Sequence, residues 1–225
     1  MNSLILFLLI LATPDRAEAG EFRAFDRDSE FFLSAPHGSF DTKTWKIAED
    51  VCEQIEWDCL IATRYRTRET PINVNRPSEG IGLGPDEEVR SERAKEVYRN
   101  YLEEIKKIRA KEIRLYIEIH GNVRIESDGR LEIASKGLQT DQLKLVKKII
   151  ASALAEQGLA NIKVWVEPLD PIFFTASANK RFGMMSTLPR ALHIEIPSRL
   201  RKFVPQRTRL IKALAKALPE IEKNL

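Results

Sequence analysis

Short apolar runs of strand length alternate along this chain with longer stretches of helical period, and few architectures accept that alternation. Phe31–Pro36, Asp58–Tyr65, Ile113–His120, Ile162–Glu167 and Ala191–Ile196 read as strands. Between them, Thr44–Glu56 carries the apolar stripe Ala48, Val51, Cys52, Ile55. A second helical segment opens near Pro85, where Asp86, Glu87 and Glu88 complement the positive end of its dipole, and continues through Ala94, Val97, Tyr101, Ile105 and Ile108. A third runs from a candidate N-cap at Thr140 to Gln157, with Leu143, Val146, Ile150 and Leu154 inward and Gly158 at its end. Ser127-Asp128-Gly129, between Val123–Glu126 and Arg130–Ala134, signals a hairpin outside the main sheet. The whole pattern predicts an α/β fold with a mainly parallel, twisted sheet flanked by helices.

The first 19 residues stand apart from that pattern. Leu4 to Ala12 is unbroken and apolar, too short for a bilayer span, and Ala17-Glu18-Ala19 supplies a small-x-small cleavage site. Residues 1–19 are therefore expected to be a signal peptide, with cleavage after Ala19 and export to the periplasm or beyond. Residues 20–225 then suit a single α/β domain with no membrane span. The net charge of +3 is too mild to demand a nucleic-acid partner. The basic tail (Arg199, Arg201, Lys202, Arg207, Arg209, Lys212) reads first as a solvated helix face. Cys52 and Cys59 are the only cysteines. In an oxidising compartment they can close a short helix-to-strand loop; on the apolar stripe they can equally be buried thiols.

Chemistry concentrates at strand ends. Of three histidines, two end strand-like runs just before a glycine, in Pro36-His37-Gly38 and Ile119-His120-Gly121. In open α/β sheets the ligand crevice lies beyond the carboxyl ends of the strands. Alternation puts Tyr116, Glu118 and His120 on one face, and His193 and Glu195 likewise. Two imidazoles and a carboxylate suit a catalytic zinc that keeps a position open for water, with Asp41 as the third ligand beside His37 and His120. Glu118 can orient His120. Glu195 is placed to take a proton from water as general base. His193 is a rival ligand, a partner of Glu195, or a core side chain. The polar connection Arg66–Gly84 is long enough to suggest function. An arginine near it, Arg64 or Arg76, can clamp a substrate carboxylate, and an arginine can share oxyanion charge with the metal.

The ordered set Ser34-Ala35-Pro36-His37-Gly38, Arg64-Tyr65, Asn73-Val74-Asn75-Arg76-Pro77, Tyr98-Arg99-Asn100-Tyr101, Ile117-Glu118-Ile119-His120-Gly121 and His193-Ile194-Glu195-Ile196 resembles the N-formylglutamate amidohydrolase family. That family is similar in fold to zinc carboxypeptidases, and the likeness covers roughly residues 30–202, the extent of one domain. The resemblance implies a zinc-dependent hydrolase of an amide or peptide C–N bond next to a free carboxylate, on a small molecule or peptide. Carried over, one Zn2+ is held by His37, Asp41 and His120; Glu195 activates the water; and Arg64, Asn75 and Arg76 grip the substrate. The chain departs from the family pattern at Asn73 and Glu118, where Asp is usual, and at Arg66–Pro71, which looks inserted. The competing expectation is a catalytically silent secreted binding domain whose arginine loop takes anionic ligands.

Overall fold

The computed structural model describes residues 20–225, so the candidate signal peptide lies outside the described residues. In chain order the elements are β1 (Glu21–Phe25), β2 (Phe31–Ala35), α1 (Thr44–Cys52), β3 (Asp58–Thr63), β4 (Ile72–Asn73), β5 (Ser78–Glu79), α2 (Glu92–Ile108), β6 (Leu115–Asn122), β7 (Arg130–Lys136), α3 (Thr140–Glu156), β8 (Lys163–Val166), α4 (Ser177–Phe182), α5 (Met184–Thr187), β9 (Ala191–Pro197), α6 (Ser198–Lys202) and α7 (Val204–Asn224). Seven strands form one sheet in the order β1-β3-β2-β6-β9-β7-β8, and β4 and β5 make a small ribbon. β3, β2, β6 and β9 run parallel; β1 is antiparallel to β3, and β7 is antiparallel to β9 but parallel to β8. The mainly parallel α/β sheet expected from the alternation is the architecture found.

Strand alternation divides the core in two. Leu33, Ile61, Ile117, Ile119, Leu192 and Ile194 meet α1, α3 and α7 on one face. Burying each of these side chains contributes about 1.5–3 kcal/mol. On the other face Phe32, Leu60 and Tyr116 meet Tyr98, Tyr101 and Ile105 of α2 and Met184 and Met185 of α5. That second face also carries Ser34, Glu118, His120, His193 and Glu195, all buried. The polar residues of β2, β6 and β9 thus share a face with only a partial apolar cover.

Several local expectations are corrected. The second helix starts at Glu92, with Ser91 accepting from the Ala94 N–H, and not near Pro85. Val89 exchanges both backbone hydrogen bonds with Glu79, which holds this stretch extended, and the acidic run turns to loop contacts instead of the dipole. Gln139, not Thr140, caps α3, in a reciprocal box with Gln142. Arg130–Lys136 is no hairpin excursion: it pairs with β9 and β8 inside the main sheet. Val123 and Ile125 alternate as a strand would, yet both point to solvent around a 3-10 turn, Ile125–Ser127. The antiparallel edge strand β1 had no counterpart in the sequence reading. Cys52 at the end of α1 and Cys59 on β3 form a disulfide, which settles the choice between bond and thiols. Among the described residues no helix is long and apolar enough to cross a membrane.

Candidate metal centre

After β2 the chain turns sharply through Pro36 and His37. Gly38 donates its N–H to Ala62 O at 3.0 Å, and Asp41 N–H closes the turn on His37 O at 2.8 Å. A Cβ at position 38 would lie 2.7 Å from both Ala62 O and Trp45 Cβ, so only glycine fits against β3 here. The turn brings Asp41 Oδ2 to 3.5 Å from His37 Nδ1. On the adjacent strands the parallel register places Glu118 beside His193 and His120 beside Glu195. Two strands each alternating acid and imidazole therefore make a two-by-two block of buried ionisable groups.

The glycine after His120 has a specific cause. A Cβ on Gly121 would sit 2.4 Å from the guanidinium of Arg201. Arg201 donates to Ile196 O (3.0 Å), Thr42 O (2.6 Å) and Asn122 O (2.8 Å). It fastens the ends of β6 and β9 to the turn that carries Asp41, and it is 1% exposed. This overturns the reading of Arg201 as part of a solvated basic face. Gly121 N–H adds a bond to Asp41 Oδ2 at 3.2 Å.

Around His120 the contacts are dense. Its Nδ1 lies 3.3 Å from Asp41 Oδ2 and its Nε2 3.2 Å from Glu118 Oε2. His193 stacks on it at 4.0 Å between centroids and bridges Glu118 Oε2 (3.2 Å) and Glu195 Oε1 (3.1 Å). Glu118 also accepts from Asn75 (3.1 and 3.0 Å), Asn179 (2.6 Å) and the Tyr116 hydroxyl (2.9 Å). Behind it, hydroxyls run from Tyr116 through Tyr101 (2.6 Å) to Ser34 (2.5 Å). A carboxylate surrounded by donors can stay ionised in a low-dielectric interior.

Charge is apportioned unevenly across the cluster. Burial, helped by the positive charge of Arg66, pulls His37 down to about 3, which keeps it neutral and competent as a ligand. Burial also pulls on His120, but hydrogen bonds to Asp41 and Glu118 outweigh it and lift the imidazole to about 9. Burial pushes Asp41 and Glu118 up, and the same histidine bonds win in the other direction, so both are held below the usual carboxylate range.

The donor set fits zinc. His37, Asp41 and His120 offer ligand atoms that all lie within 4.8 Å of one another, and so do Glu118, His120 and His193. The first group is the better match for a catalytic ion. Glu118 is already engaged by Asn75, Asn179, Tyr116, His120 and His193. By contrast, Asp41 Oδ2 lies 3.5 Å from His37 Nδ1 and 3.3 Å from His120 Nδ1, spacings that suit three ligand atoms of one tetrahedral ion, and Glu195 Oε2 is buried with no partner.

Of the substrate-gripping candidates, Asn75 enters the cluster through Glu118. Arg76 stands next to it, donating to Asn75 Oδ1 at 3.2 Å, but its fork holds Glu88. The guanidinium of Arg64 reaches Glu21 on β1 at 3.0 Å, while its N–H contacts Ser39 Oγ at 2.8 Å. Arg66, whose charge acts on His37, is 7% exposed, lying over the Phe40 ring and donating to Gly80 O (2.7 Å), Ile72 O (3.2 Å) and Asn73. Sequence reasoning missed Asn179 and the burial of Arg66 and Arg201. A single Asn in a loop-bound helix carries no local signal. Gly121 did signal a close neighbour but not which one.

No family model and no curated protein matches the chain. Solved structures do share its fold. A bacteriophage poly-gamma-glutamate hydrolase superimposes with a TM-score of 0.55 at 14% identity, over 92% of this chain and 91% of that one. Bovine thrombin-activatable fibrinolysis inhibitor, solved with tick carboxypeptidase inhibitor, gives 0.53 at 12% over 91% and 86%. Succinylglutamate desuccinalase from Vibrio parahaemolyticus gives 0.50 at 15% over 87% and 68%. At these identities the likeness establishes a zinc-carboxypeptidase-like fold.

Proposed function

We propose that this protein is an exported zinc-dependent hydrolase of an amide or peptide C–N bond, similar to N-formylglutamate amidohydrolases. The carrying observation is the convergence of His37, Asp41 and His120 beside a buried Glu195 oxygen that has no partner. Structural neighbours named for poly-gamma-glutamate and succinylglutamate support an amide substrate. The Cys52–Cys59 disulfide supports an oxidising compartment and hence the export expected from residues 1–19.

In this reading His37, Asp41 and His120 hold one zinc ion. Bound there, zinc supplies Lewis-acid polarisation of the scissile carbonyl and acidifies water to a pKa of about 7. Glu195 takes the proton of the attacking water on Oε2 and returns it to the leaving amine. His193, hydrogen-bonded to Glu195 Oε1, fixes which oxygen faces the site. Glu118 holds His120, as a neighbouring carboxylate does for many metal-bound imidazoles. Asn75 and Asn179 in turn hold Glu118 from the loop side. Arg64 and Arg76, the expected grips for a substrate carboxylate, each pair with a carboxylate of this chain.

Glu195→Gln tests the assignment. The amide is nearly isosteric but cannot accept the water's proton, so zinc should stay while kcat for an N-acyl amino acid or dipeptide falls about 10²–10⁴-fold. Loss of zinc along with activity makes Glu195 a ligand. Near-normal turnover makes it structural, and no turnover by the zinc-loaded wild type favours a silent binding domain.

A further inference from the structure

The loop between β3 and α2 supplies its own acid to Arg76, which reaches Glu118 through Asn75. Arg76 Nη1 donates to Asn75 Oδ1, and Asn75 Nδ2 donates to Glu118, so the guanidinium is two hydrogen bonds from the buried block. Its Nε–Nη2 edge is taken by Glu88. Arg76 Nε donates to Glu88 Oε2 at 2.9 Å and to Oε1 at 3.2 Å, and Nη2 donates to Oε1 at 2.6 Å. Ser78 Oγ donates to Glu88 Oε2 at 2.5 Å. The Glu88 side chain is 2% exposed and that of Arg76 15%.

Other ion pairs of the same loop differ from this one. Arg93, which holds Glu79, is half exposed, and Asp86 and Arg181 are both open to solvent. Only the Arg76–Glu88 pair among these is buried and joined to the cluster. Arg66 feels the charges of Arg76, Glu88 and Asp41 together, which places the pair within electrostatic reach of the metal-binding turn.

We propose that Glu88 is a specificity-determining residue: it fills the Arg76 fork as a substrate carboxylate would, and so turns the enzyme toward amide bonds whose neighbouring group is uncharged, as at an internal or capped position. This deepens the hydrolase reading and rests on it. Glu88 takes the Nε–Nη2 edge of the guanidinium and balances its charge, so a second carboxylate has only the remaining Nη hydrogens beside Asn75 to bind. A free carboxylate arriving there meets a guanidinium whose charge Glu88 already balances, together with the negative charge of Glu88 itself, and like charges in an interface discriminate against the wrong partner. Arg66 directs its Nη groups at loop carbonyls and Asn73, and of its three nitrogens only the buried Nε lacks a partner.

The test compares an N-acyl amino acid amide with its free-acid form, hydrolysed by wild type, Glu88→Gln and Glu88→Gln/Arg76→Ala. Glutamine keeps an acceptor for Arg76 and Ser78 but removes the charge. Wild type is expected to favour the amide-capped substrate. Glu88→Gln should raise the free-acid to capped ratio of kcat/KM by ten- to a hundredfold, the value of one recovered charge-assisted contact, and the double variant should abolish the gain. An unchanged ratio in a Glu88→Gln protein with normal zinc content and Tm overturns the proposal. Should that variant not fold, calorimetric binding of the two ligand forms to wild type decides: tighter binding of the free acid overturns it, and tighter binding of the capped form supports it. Failure of wild type to hydrolyse either form sinks the hydrolase reading alone, since the binding comparison still stands by itself.

Discussion

Glu118 shows how much of the site is made by one side chain. It receives Asn75 and Asn179 from the loop and helix above the sheet, Tyr116 from its own strand, and faces His120 and His193. Replacing it with Gln leaves a buried amide among donors it cannot satisfy. Loss of one member of a buried charged network costs about 3–5 kcal/mol, so denaturant unfolding of Glu118→Gln should show a drop of that size. A change under about 1 kcal/mol, the range of an exposed ion pair, would show that Glu118 is no hub. Strand alternation exposed Glu118, His120, His193 and Glu195 to sequence reasoning, because residues two apart must share a face. The same rule does not reach the arginines after β3. β3 ends at Thr63, and Arg64 takes a left-handed conformation with φ of 65°, so Arg64 and Arg66 no longer share a face by alternation.

Elements were legible where one period ran unbroken, as in the α2 stripe or β6, and illegible where a partner far along the chain decided. β7 reads locally like half of a hairpin, but its partners are β8 and β9, formed later in the chain. The acidic run at Asp86–Glu88 looks like a helix start, but Arg181, Gly84 and Arg76 take up its charges one by one. The disulfide is a third such case, since spacing allowed it and only the packing of α1 on β3 fixed it. Closing a loop this short constrains the unfolded chain by about 2–3 kcal/mol. The double variant Cys52→Ala/Cys59→Ala should lose that much in chemical unfolding while keeping its zinc. Stability equal to wild type would mean the bond adds nothing beyond packing.

Across the molecule, the sheet order brings β2, β6 and β9 side by side, so three separate sequence segments deliver His37, His120 and Glu195 to one mouth. Arg201, from the helix after β9, locks the ends of two of those strands to the turn bearing Asp41. The fold thereby brings His37, Asp41 and His120 together before any ion binds; His37 is already neutral, whereas His120, held protonated by Asp41 and Glu118, must give up its proton to an incoming ion. Zinc binding measures this directly. Equilibrium titration with elemental analysis should find one zinc per chain in wild type and in Glu195→Gln. It should find affinity at least about a hundredfold weaker in His37→Ala and in His120→Ala, since each removes one of three protein ligands. Full, tight zinc retention in both histidine variants would contradict the metal centre on which the account stands.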